Sequence, residues 1–240
     1  MPTTSIDATY QGRINLTDGP SAKTLDWLGT IRNGTTGVSA TAYTTNTLGQ
    51  TAVGVYNLLT KGSYYVGGYR SFLFFDVSSI TSSNTITAAT LKVLGYLNNS
   101  GGVIPVASTA WGTNGSTSTL SNDNWNDLTF TTTYASAITS WNTSAYNDFT
   151  LNATAISAMN SNGYLNCALI NSTYDQAGSA LNASNEFYNG IEFLDGTNNI
   201  KVELTYSSAG YANDVSGVTS ASIVSVNGVA TANIININGV

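Results

Sequence analysis

The sequence contains no histidine and only one cysteine, which removes several kinds of chemistry from it. Histidine is the commonest general base and metal ligand, and without it no Ser–His or Cys–His nucleophile pair can form. Cys167 has no partner for an intrachain disulfide and lies in the apolar run YLNCALI, so a buried thiol is expected there rather than a nucleophile. These absences favour a protein that is not an enzyme.

Charge is also scarce, since only 8% of the residues are charged against roughly 25% in an ordinary domain. The 7 Lys and Arg residues are too few to neutralise a row of phosphates, which argues against nucleic-acid binding. No apolar run is long enough to span a membrane, so membrane insertion is not expected either. A surface of Asn, Ser and Thr with few charges is typical of β-rich proteins that face the outside of a cell.

The N-terminus, MPTTSIDATY, has neither a basic segment nor an apolar stretch and does not resemble a secretory signal. An extracellular composition without an export signal is expected of a virion protein, which is assembled in the host cytoplasm and released by lysis. We therefore expect a location on a virion surface. Removal of a signal segment from the chain would explain the same conflict.

Strand signals dominate the chain as short β-branched and aromatic runs separated by Gly and Asn. These runs are residues 70–77, 86–97, 103–107, 147–151, 164–170, 190–194 and 200–206. Apolar spacing of three or four predicts short helices over residues 134–141 and 153–159, the second capped by Asn152. The pattern predicts an all-β fold, a jelly-roll-like antiparallel β-sandwich with a short β-repeat C-terminal extension.

Two polar residues beside the Phe-rich strand have predicted structural roles. Asp76 follows the strand and precedes two serines, so it is expected to accept hydrogen bonds in a turn. Arg70 is one of few cations in an apolar neighbourhood and is expected to pair with a carboxylate or stack on tyrosine.

The C-terminal segment repeats, because Gly217, Gly228 and Gly239 recur at 11-residue intervals. Each interval combines β-branched residues with Asn and Gly turn residues. Such a short apolar repeat cannot bury itself, so it needs a partner surface, which is another subunit, a shell protein or the body of its own sandwich. Assembly contacts with sibling subunits or a shell protein are expected. The residues predicted to make these contacts are Ile223, Val224, Val226, Ile234, Ile235 and Ile237.

The predicted organisation is a β-sandwich over residues 1–206, followed by a linker and the repeat tail over residues 207–240.

The stretch RSFLFFDVSSI, followed by ITAATLKV, resembles the opening of the DNRLR-type (disaggregatase-related) β-sandwich. The later stretches DFTL, GYL and KVELTY occur in the order found in that family, so the resemblance covers about residues 70–206. It implies a family-like core over residues 70–206, with residues 1–69 as an N-terminal elaboration of the sandwich. It also implies a fold like that of carbohydrate-binding modules found in surface and adhesive proteins. The Asn-Gly-Val unit of the tail is similar to the C-termini of structural proteins from environmental bacteriophages.

Aromatic residues in two regions are candidates for glycan binding, because sugar rings stack on exposed aromatic faces. The segment YYVGGY supplies Tyr64, Tyr65 and Tyr69, for which the alternative is a hairpin that completes the sandwich edge. Trp111 and Trp125 lie in a region rich in Gly, Asn, Ser and Thr, where a hydrophobic plug is the alternative to sugar or subunit contact.

Carboxylates suggest two further sites. Asp123 and Asp127 bring oxygen ligands into one loop that could hold Ca²⁺, although the complete spacing of an EF-hand is missing. No other cofactor is expected. Glu186, Glu192 and Asp195 could supply a carboxylate pair for glycoside hydrolysis, but scattered surface acids are the simpler interpretation.

Together these observations predict a bacteriophage structural protein, either a capsid decoration protein or a head fibre, that acts by assembly and by glycan adhesion. Its expected partners are the major capsid protein or sibling subunits in a homo-oligomer, and a host-surface glycan. The first alternative is a tail-fibre or receptor-binding protein. The second is a secreted bacterial protein that binds or cleaves polysaccharide.

Overall fold

A computed structural model shows two antiparallel β-sheets packed face to face, as the strand pattern predicts. The structure describes the backbone of residues 1–21, 27–37, 39–43, 49–60, 63–99, 101–117, 119–181, 186–193, 200–208, 225–226 and 229–230. Side chains are described for most of these residues.

Among the described residues, two short α-helices lie between successive strands. The strands are β1 (Thr3–Asp7), β2 (Tyr10–Ser21), β3 (Ser39–Tyr43), β4 (Gly49–Thr60), β5 (Ser63–Asp76), β6 (Asn84–Asn98), β7 (Val103–Ser108), β8 (Leu128–Thr133), β9 (Tyr146–Thr150), β10 (Tyr164–Asn171), β11 (Glu186–Phe193), β12 (Lys201–Ser208), β13 (Ser225–Val226) and β14 (Val229–Ala230). The helices are α1 (Ser78–Thr81) and α2 (Ala153–Asn162). Short π-helical or 3₁₀ turns occur at Trp27–Arg32, Thr113–Gly115, Asn122–Asn126 and Ser172–Gln176.

The smaller sheet has the strand order β1-β12-β6-β9. In β12, Val202 and Leu204 point inward and are buried, while Lys201 and Glu203 point to the solvent side. The strand predicted over residues 200–206 is thus confirmed, with one face buried and the other towards solvent.

The larger sheet is organised around β5, which pairs with β2 along one edge, and β2 pairs in turn with β3. The other edge of β5 has two partners in succession, and we call the point where they change the fork. The first half of β5, up to Tyr69, pairs with β4, whereas the second half, from Ser71, pairs with β10. Beyond the fork, β4 pairs with β11, and β10 pairs with β7 and then β8. Residues 95–98 of β6 also pair with β11 and so connect the two sheets.

The inter-sheet core lies between the two sheets. Leu73 and Phe75 of β5 face it from the larger sheet, and Leu91 and Val93 of β6 face it from the smaller one; all four are fully buried. Cys167 lies in the same core and is buried, as its sequence context predicts. Full burial of each such aliphatic or aromatic side chain contributes about 1.5–3 kcal/mol.

An outer core covers the opposite face of the larger sheet. Phe72 and Phe74 alternate with Leu73 and Phe75 along β5, so both faces of this strand are buried. The covering segments are loops that contribute Trp27, Trp111 and Trp125. The continuous apolar run of β5 therefore reflects burial on two sides.

The predicted helix over residues 134–141 is wrong. The structure has an irregular segment with bends there, and an isolated β-bridge joins Ile138 to Val103. Its apolar residues Tyr134, Ala135 and Trp141 are buried in the inter-sheet core, and these long-range contacts override the weak helical spacing.

The second predicted helix is confirmed as α2. Its cap is also confirmed, because the Ala155 amide donates a hydrogen bond of 3.1 Å to the Asn152 side chain. The predicted turn role of Asp76 holds as well, since its Oδ1 accepts a hydrogen bond of 2.9 Å from the Ser78 amide.

Candidate functional site: a tyrosine face on the larger sheet

On one side of β5, the side chains are exposed or half-buried in the first half of the strand and buried in the second half. Successive side chains of a strand alternate between faces, so Tyr65 and Tyr69 lie on the same side as Leu73 and Phe75. Leu73 and Phe75 are buried by the smaller sheet, whereas Tyr69 is half-buried and Tyr65 is 38% exposed. The first half of β5 therefore presents tyrosine rings where the second half presents core residues.

Strand β4 adds a third ring to this surface. Tyr56 pairs with Gly67 across the ladder, and its ring lies directly over that glycine. A Cβ atom at Gly67 would lie 2.5 Å from Cζ of Tyr56, so only glycine leaves room for this ring position. The Tyr56 and Tyr69 ring centroids are 5.6 Å apart with an interplanar angle of 36°.

Strand β2 lines the other side of the rings with polar groups. Asn15 pairs with Tyr69 and Thr17 with Gly67, and both side chains are half-buried. The guanidinium carbon of Arg13 lies 5.9 Å from the centroid of the Tyr69 ring. This distance is within the range of a cation–π contact and holds the charged group beside the ring.

We call this surface the tyrosine face and define it by Arg13, Asn15, Thr17, Tyr56, Tyr65, Gly67 and Tyr69. It combines aromatic rings with a guanidinium, an amide and a hydroxyl group. Rings of this kind stack on the apolar side of a sugar, while the polar groups donate and accept hydrogen bonds with its hydroxyls.

The sequence identified two of the three described tyrosines of this face. Tyr65 and Tyr69 lie together on it, whereas the side chain of Tyr64, the third candidate of that segment, lies outside the described residues. Tyr56 and Arg13 were missed because they come from other strands. The hairpin in which Thr60 pairs with Ser63 would have placed Tyr56 opposite Gly67, had that turn been recognised.

The prediction that Trp111 and Trp125 are exposed glycan-binding residues is wrong. Trp111 and Trp125 are both fully buried in the outer core and expose no ring face to a sugar. The Trp125 indole donates a hydrogen bond of 2.8 Å to the Ile31 carbonyl, and the Trp111 ring stacks on Tyr10 at 5.5 Å. The segment that carries them packs over the apolar outer face of the larger sheet. Both residues therefore act as a hydrophobic plug, which was the alternative to sugar contact.

Asp123 and Asp127 lie in and directly after the 3₁₀ turn at Asn122–Asn126. Asp123 accepts a hydrogen bond of 3.3 Å from the Thr36 hydroxyl, and Asp127 accepts one of 2.7 Å from the Asn124 amide. The part of the chain that the structure describes contains no group of three or more Cys, Asp or Glu residues that could hold a metal ion. Calcium binding at these two aspartates stays a prediction.

Most of the assembly tail lies outside the described residues, including Ile223, Val224, Ile234, Ile235 and Ile237. The backbone of Val226 is described and pairs with Val229 in the short antiparallel ladder of β13 and β14. The sequence between these strands is Asn-Gly, the turn signal from which a hairpin is expected.

Burial makes the Cys167 thiol and the Tyr134 phenol weaker acids than usual. Burial raises the pKa of the Cys167 thiol to about 12. Burial is also the main reason that the pKa of Tyr134 rises to about 12. The backbones of Glu186 and Glu192 lie near opposite ends of β11, about 20 Å apart along an extended strand, whereas Asp195 lies outside the described residues. A hydrolytic pair needs its carboxyl groups within roughly 5–10 Å.

No helix among the described residues is both long and apolar enough to cross a membrane. The chain matches no protein-family model, and a search of curated proteins finds no match to it. Its function is therefore inferred from the fold and from the tyrosine face.

Proposed function

We propose that this chain is a non-enzymatic structural protein of a bacteriophage virion surface, a capsid decoration protein or head fibre, that binds glycan through its tyrosine face. The sandwich is displayed outward and the repeat tail makes the assembly contacts. The observation that carries the glycan-binding part is the Tyr56–Tyr69 ring pair, held over Gly67 beside Tyr65, whose side chain is exposed among the described residues.

The scaffold under the face supports this role. Tyr56, Gly67 and Tyr69 lie in the interior of regular strands, and the strand opposite carries Arg13 and Asn15. Binding groups on strands keep their geometry better than groups on loops, which reduces the entropy lost when a ligand binds.

Weak glycan contact is compatible with adhesion when many copies act together. A face with a few stacking rings gives modest affinity for each copy, and multivalent display multiplies it. The scarcity of charge in the chain and the buried thiol also favour display over catalysis.

Glycan binding is tested by titrating the full chain against a panel of polysaccharides, with Tyr69→Ala and Tyr56→Ala as the site variants. We expect each substitution to lower the affinity for the bound polysaccharide about tenfold, because each removes one stacking ring. Tyr96→Ala is the matched control, since Tyr96 is 47% exposed and lies on β6 away from the face. Binding that survives both site substitutions would overturn the assignment.

The virion location is tested by quantitative mass spectrometry of purified particles together with light scattering of the isolated chain. Many copies per particle support a decoration protein or head fibre. A few copies in a stable trimer would favour the tail-fibre alternative. Absence from any particle, with glycan binding retained, would favour a secreted polysaccharide-binding protein.

A further inference from the structure

A cleft lies at the end of the sandwich, away from the tyrosine face. It is bounded by the end of β5, the start of β10, the end of α2 and the loop around Asn114, and its volume is about 360 Å³. We call it the end cleft. Small-molecule sites in proteins start at roughly this size. Its lining residues are Phe74, Asp76, Ser78, Asn114, Asn162, Gly163 and Tyr164.

The floor of the end cleft is the last ring of an aromatic stack that begins in the outer core. Trp111 stacks on Tyr10 at 5.5 Å, Tyr10 contacts Phe74 at 5.7 Å, and Phe74 stacks on Tyr164 at 5.2 Å between ring centroids. Trp111 and Phe74 are buried, whereas Tyr164 is half-buried and lines the cleft. The Tyr164 ring is therefore fixed from behind and presents a preorganised apolar surface.

The rim of the end cleft is polar. Asp76, Asn114 and Asn162 are all exposed, and neither carboxamide has a hydrogen-bond partner among the described residues. Asp76 uses Oδ1 to accept the Ser78 amide at 2.9 Å. Carboxylate and carboxamide groups around one ring face are suited to the hydroxyls of a single sugar.

The backbone at Asn114 is unusual, with φ of 56° and ψ of 29°. Among the residues that the structure describes, it is the one non-glycine residue with positive φ. Such conformations are kept where the surrounding structure imposes them and are concentrated at functional sites. The next residue, Gly115, lies against the rings of Phe74 and Tyr10, where a Cβ would come within 2.9 Å of either ring. The loop is thus pressed onto the aromatic stack.

We propose that the end cleft binds one ring of an uncharged saccharide. The apolar side of the sugar stacks on Tyr164, and its hydroxyls bind Asp76, Asn114 and Asn162. The described lining contains one carboxylate and neither lysine nor arginine, so an anionic sugar is disfavoured there. This site is separate from the tyrosine face and does not depend on ligand binding at that face.

The test is an NMR titration of the full-length ¹⁵N-labelled chain. The probes are the methyl glycosides of glucose, galactose, mannose and N-acetylglucosamine, with glucuronate as the anionic comparison. We expect at least one methyl glycoside to shift the side-chain amides of Asn114 and Asn162 and the backbone amide of Tyr164 in a saturable way. Glucuronate is expected to leave these signals in place.

Two variants separate a binding role from a structural one. Asn114→Gly removes the carboxamide and retains a residue suited to positive φ, so it should keep the fold and lower the affinity about fivefold. Asn162→Ala, at the exposed end of α2, should act in the same direction. Tyr69→Ala on the tyrosine face should leave the affinity of the end cleft unchanged.

Three results would overturn the proposal. The first is that none of the four glycosides shifts the signals. The second is that glucuronate shifts them as strongly as the best glycoside. The third is that both cleft variants bind the glycoside as tightly as the unmodified chain. Loss of polysaccharide binding in Tyr69→Ala alone concerns only the tyrosine face.

Discussion

Arg70 and Asp175 form a buried ion pair at the fork of the larger sheet. The Arg70 Nη2 atom lies 2.7 Å from Oδ1 of Asp175, and Nε lies 2.9 Å from Oδ2, so both carboxylate oxygens are bound. The two side chains are 0% and 2% exposed. The ladder partner of β5 changes from β4 to β10 at this residue, and the guanidinium lies beside that change.

The same guanidinium also binds two of the segments that cover the outer face of the larger sheet. It donates hydrogen bonds to the main-chain carbonyls of Trp125 and Arg32, at 2.6 and 2.7 Å, and lies 4.0 Å from the centroid of the Trp125 ring. The sequence-based expectation of a carboxylate partner for Arg70 is thus confirmed, and the stacking partner is tryptophan instead of tyrosine. Asp175 lies 105 positions away, so no local pattern could identify it.

Removing the carboxylate should strongly destabilise the fold. Asp175→Asn leaves a buried guanidinium without its counter-charge, and we expect a loss of about 3–5 kcal/mol in the free energy of unfolding. Urea denaturation followed by tryptophan fluorescence measures it. The double variant Arg70→Met, Asp175→Leu should recover much of the loss, because it also removes the charge that would stay unpaired.

Asp148→Asn is the matched control for this prediction. It breaks the surface pair of Lys92 with Asp148, in which the Asp148 side chain is 49% exposed. That change should lower the free energy of unfolding by no more than about 1 kcal/mol. Equal effects of the buried and surface substitutions would contradict the role assigned to the buried pair.

A single methyl group at Gly67 should weaken polysaccharide binding at the tyrosine face. Its Cβ would lie 2.5 Å from the hydroxyl oxygen of Tyr56 and 2.8 Å from Cγ2 of Thr17, so the Tyr56 ring must move away. The displaced atoms are at the ends of side chains, so Gly67→Ala should leave the strand pairing intact. We expect the affinity for polysaccharide to fall about tenfold, as for loss of one stacking ring.

A double-mutant cycle checks that Gly67→Ala acts through the Tyr56 ring. Adding Gly67→Ala to Tyr56→Ala should cause little further loss of affinity, since the ring it displaces is already gone. Fully additive losses would show that the methyl group acts on another part of the face.

Local patterns predicted the parts of the fold in which burial follows the sequence directly. In β12, alternate residues are buried and solvent-facing, and in β5 apolar residues on both faces reflect burial on two sides. By contrast, β2 contains Gly12, Asp18 and Pro20, which weaken a strand signal, and it is held in place by its pairing with β5. Tertiary pairing of this kind is not visible in a local window.

The candidate site was predicted only where its residues are neighbours in sequence. Tyr65 and Tyr69 come from one segment, whereas Tyr56 and Arg13 join them through strand register. Trp111 showed the opposite error: its polar neighbours suggested an exposed loop, but the loop packs its indole into the outer core. Local composition predicts that this segment is a loop, but it does not predict whether the tryptophan side chain points to solvent or to the core.

Sugar binding should leave the tryptophan emission unchanged. All four tryptophans of the chain are buried, and the most exposed, Trp141, is 4% exposed. A sugar on the tyrosine face or in the end cleft therefore contacts no indole. Fluorescence spectra recorded during the titrations test this. A ligand-dependent shift of the emission maximum would place a tryptophan at the site.

Alkaline pH should destabilise the fold through buried acids. Burial raises the pKa of Cys167 from 9.0 to about 12, so the folded state holds this proton more tightly than the unfolded state. The resulting stabilisation is complete below pH 9 and is lost as the pH rises from 9 towards 12. Cys167→Ala should therefore reduce the slope of unfolding free energy against pH in this window, by up to about 1.4 kcal/mol per pH unit.

The measurement is a series of urea denaturation curves from neutral to alkaline pH. Below pH 9 the variant and the unmodified chain should differ by a constant amount, which reflects the packing lost with the sulfur atom. Above it the two curves should converge. Tyr134→Phe should behave similarly, because burial raises the pKa of that phenol from 10.0 to about 12. Curves that stay parallel throughout would contradict the assignment.

Charging the repeat tail should abolish assembly without unfolding the sandwich. The last strand of the smaller sheet, β12, ends at Ser208, before the repeats begin. Ile234→Asp combined with Ile237→Asp places two carboxylates in an apolar repeat that is expected to be buried against a partner, where unpaired charge is strongly unfavourable. We expect the variant to disappear from purified particles and to lose self-association in light scattering.

A matched control separates burial from charge. Thr231→Asp combined with Asn233→Asp adds the same two negative charges to the same repeat and keeps its isoleucines. This control should still assemble if the isoleucine side chains make the contact, whereas it should fail like the first variant if net charge alone decides. The circular dichroism spectrum and the urea midpoint should be unchanged in both variants, because β12, the last strand of the smaller sheet along the chain, ends before the repeats begin. Normal incorporation of the isoleucine variant would rule out the tail as the anchor.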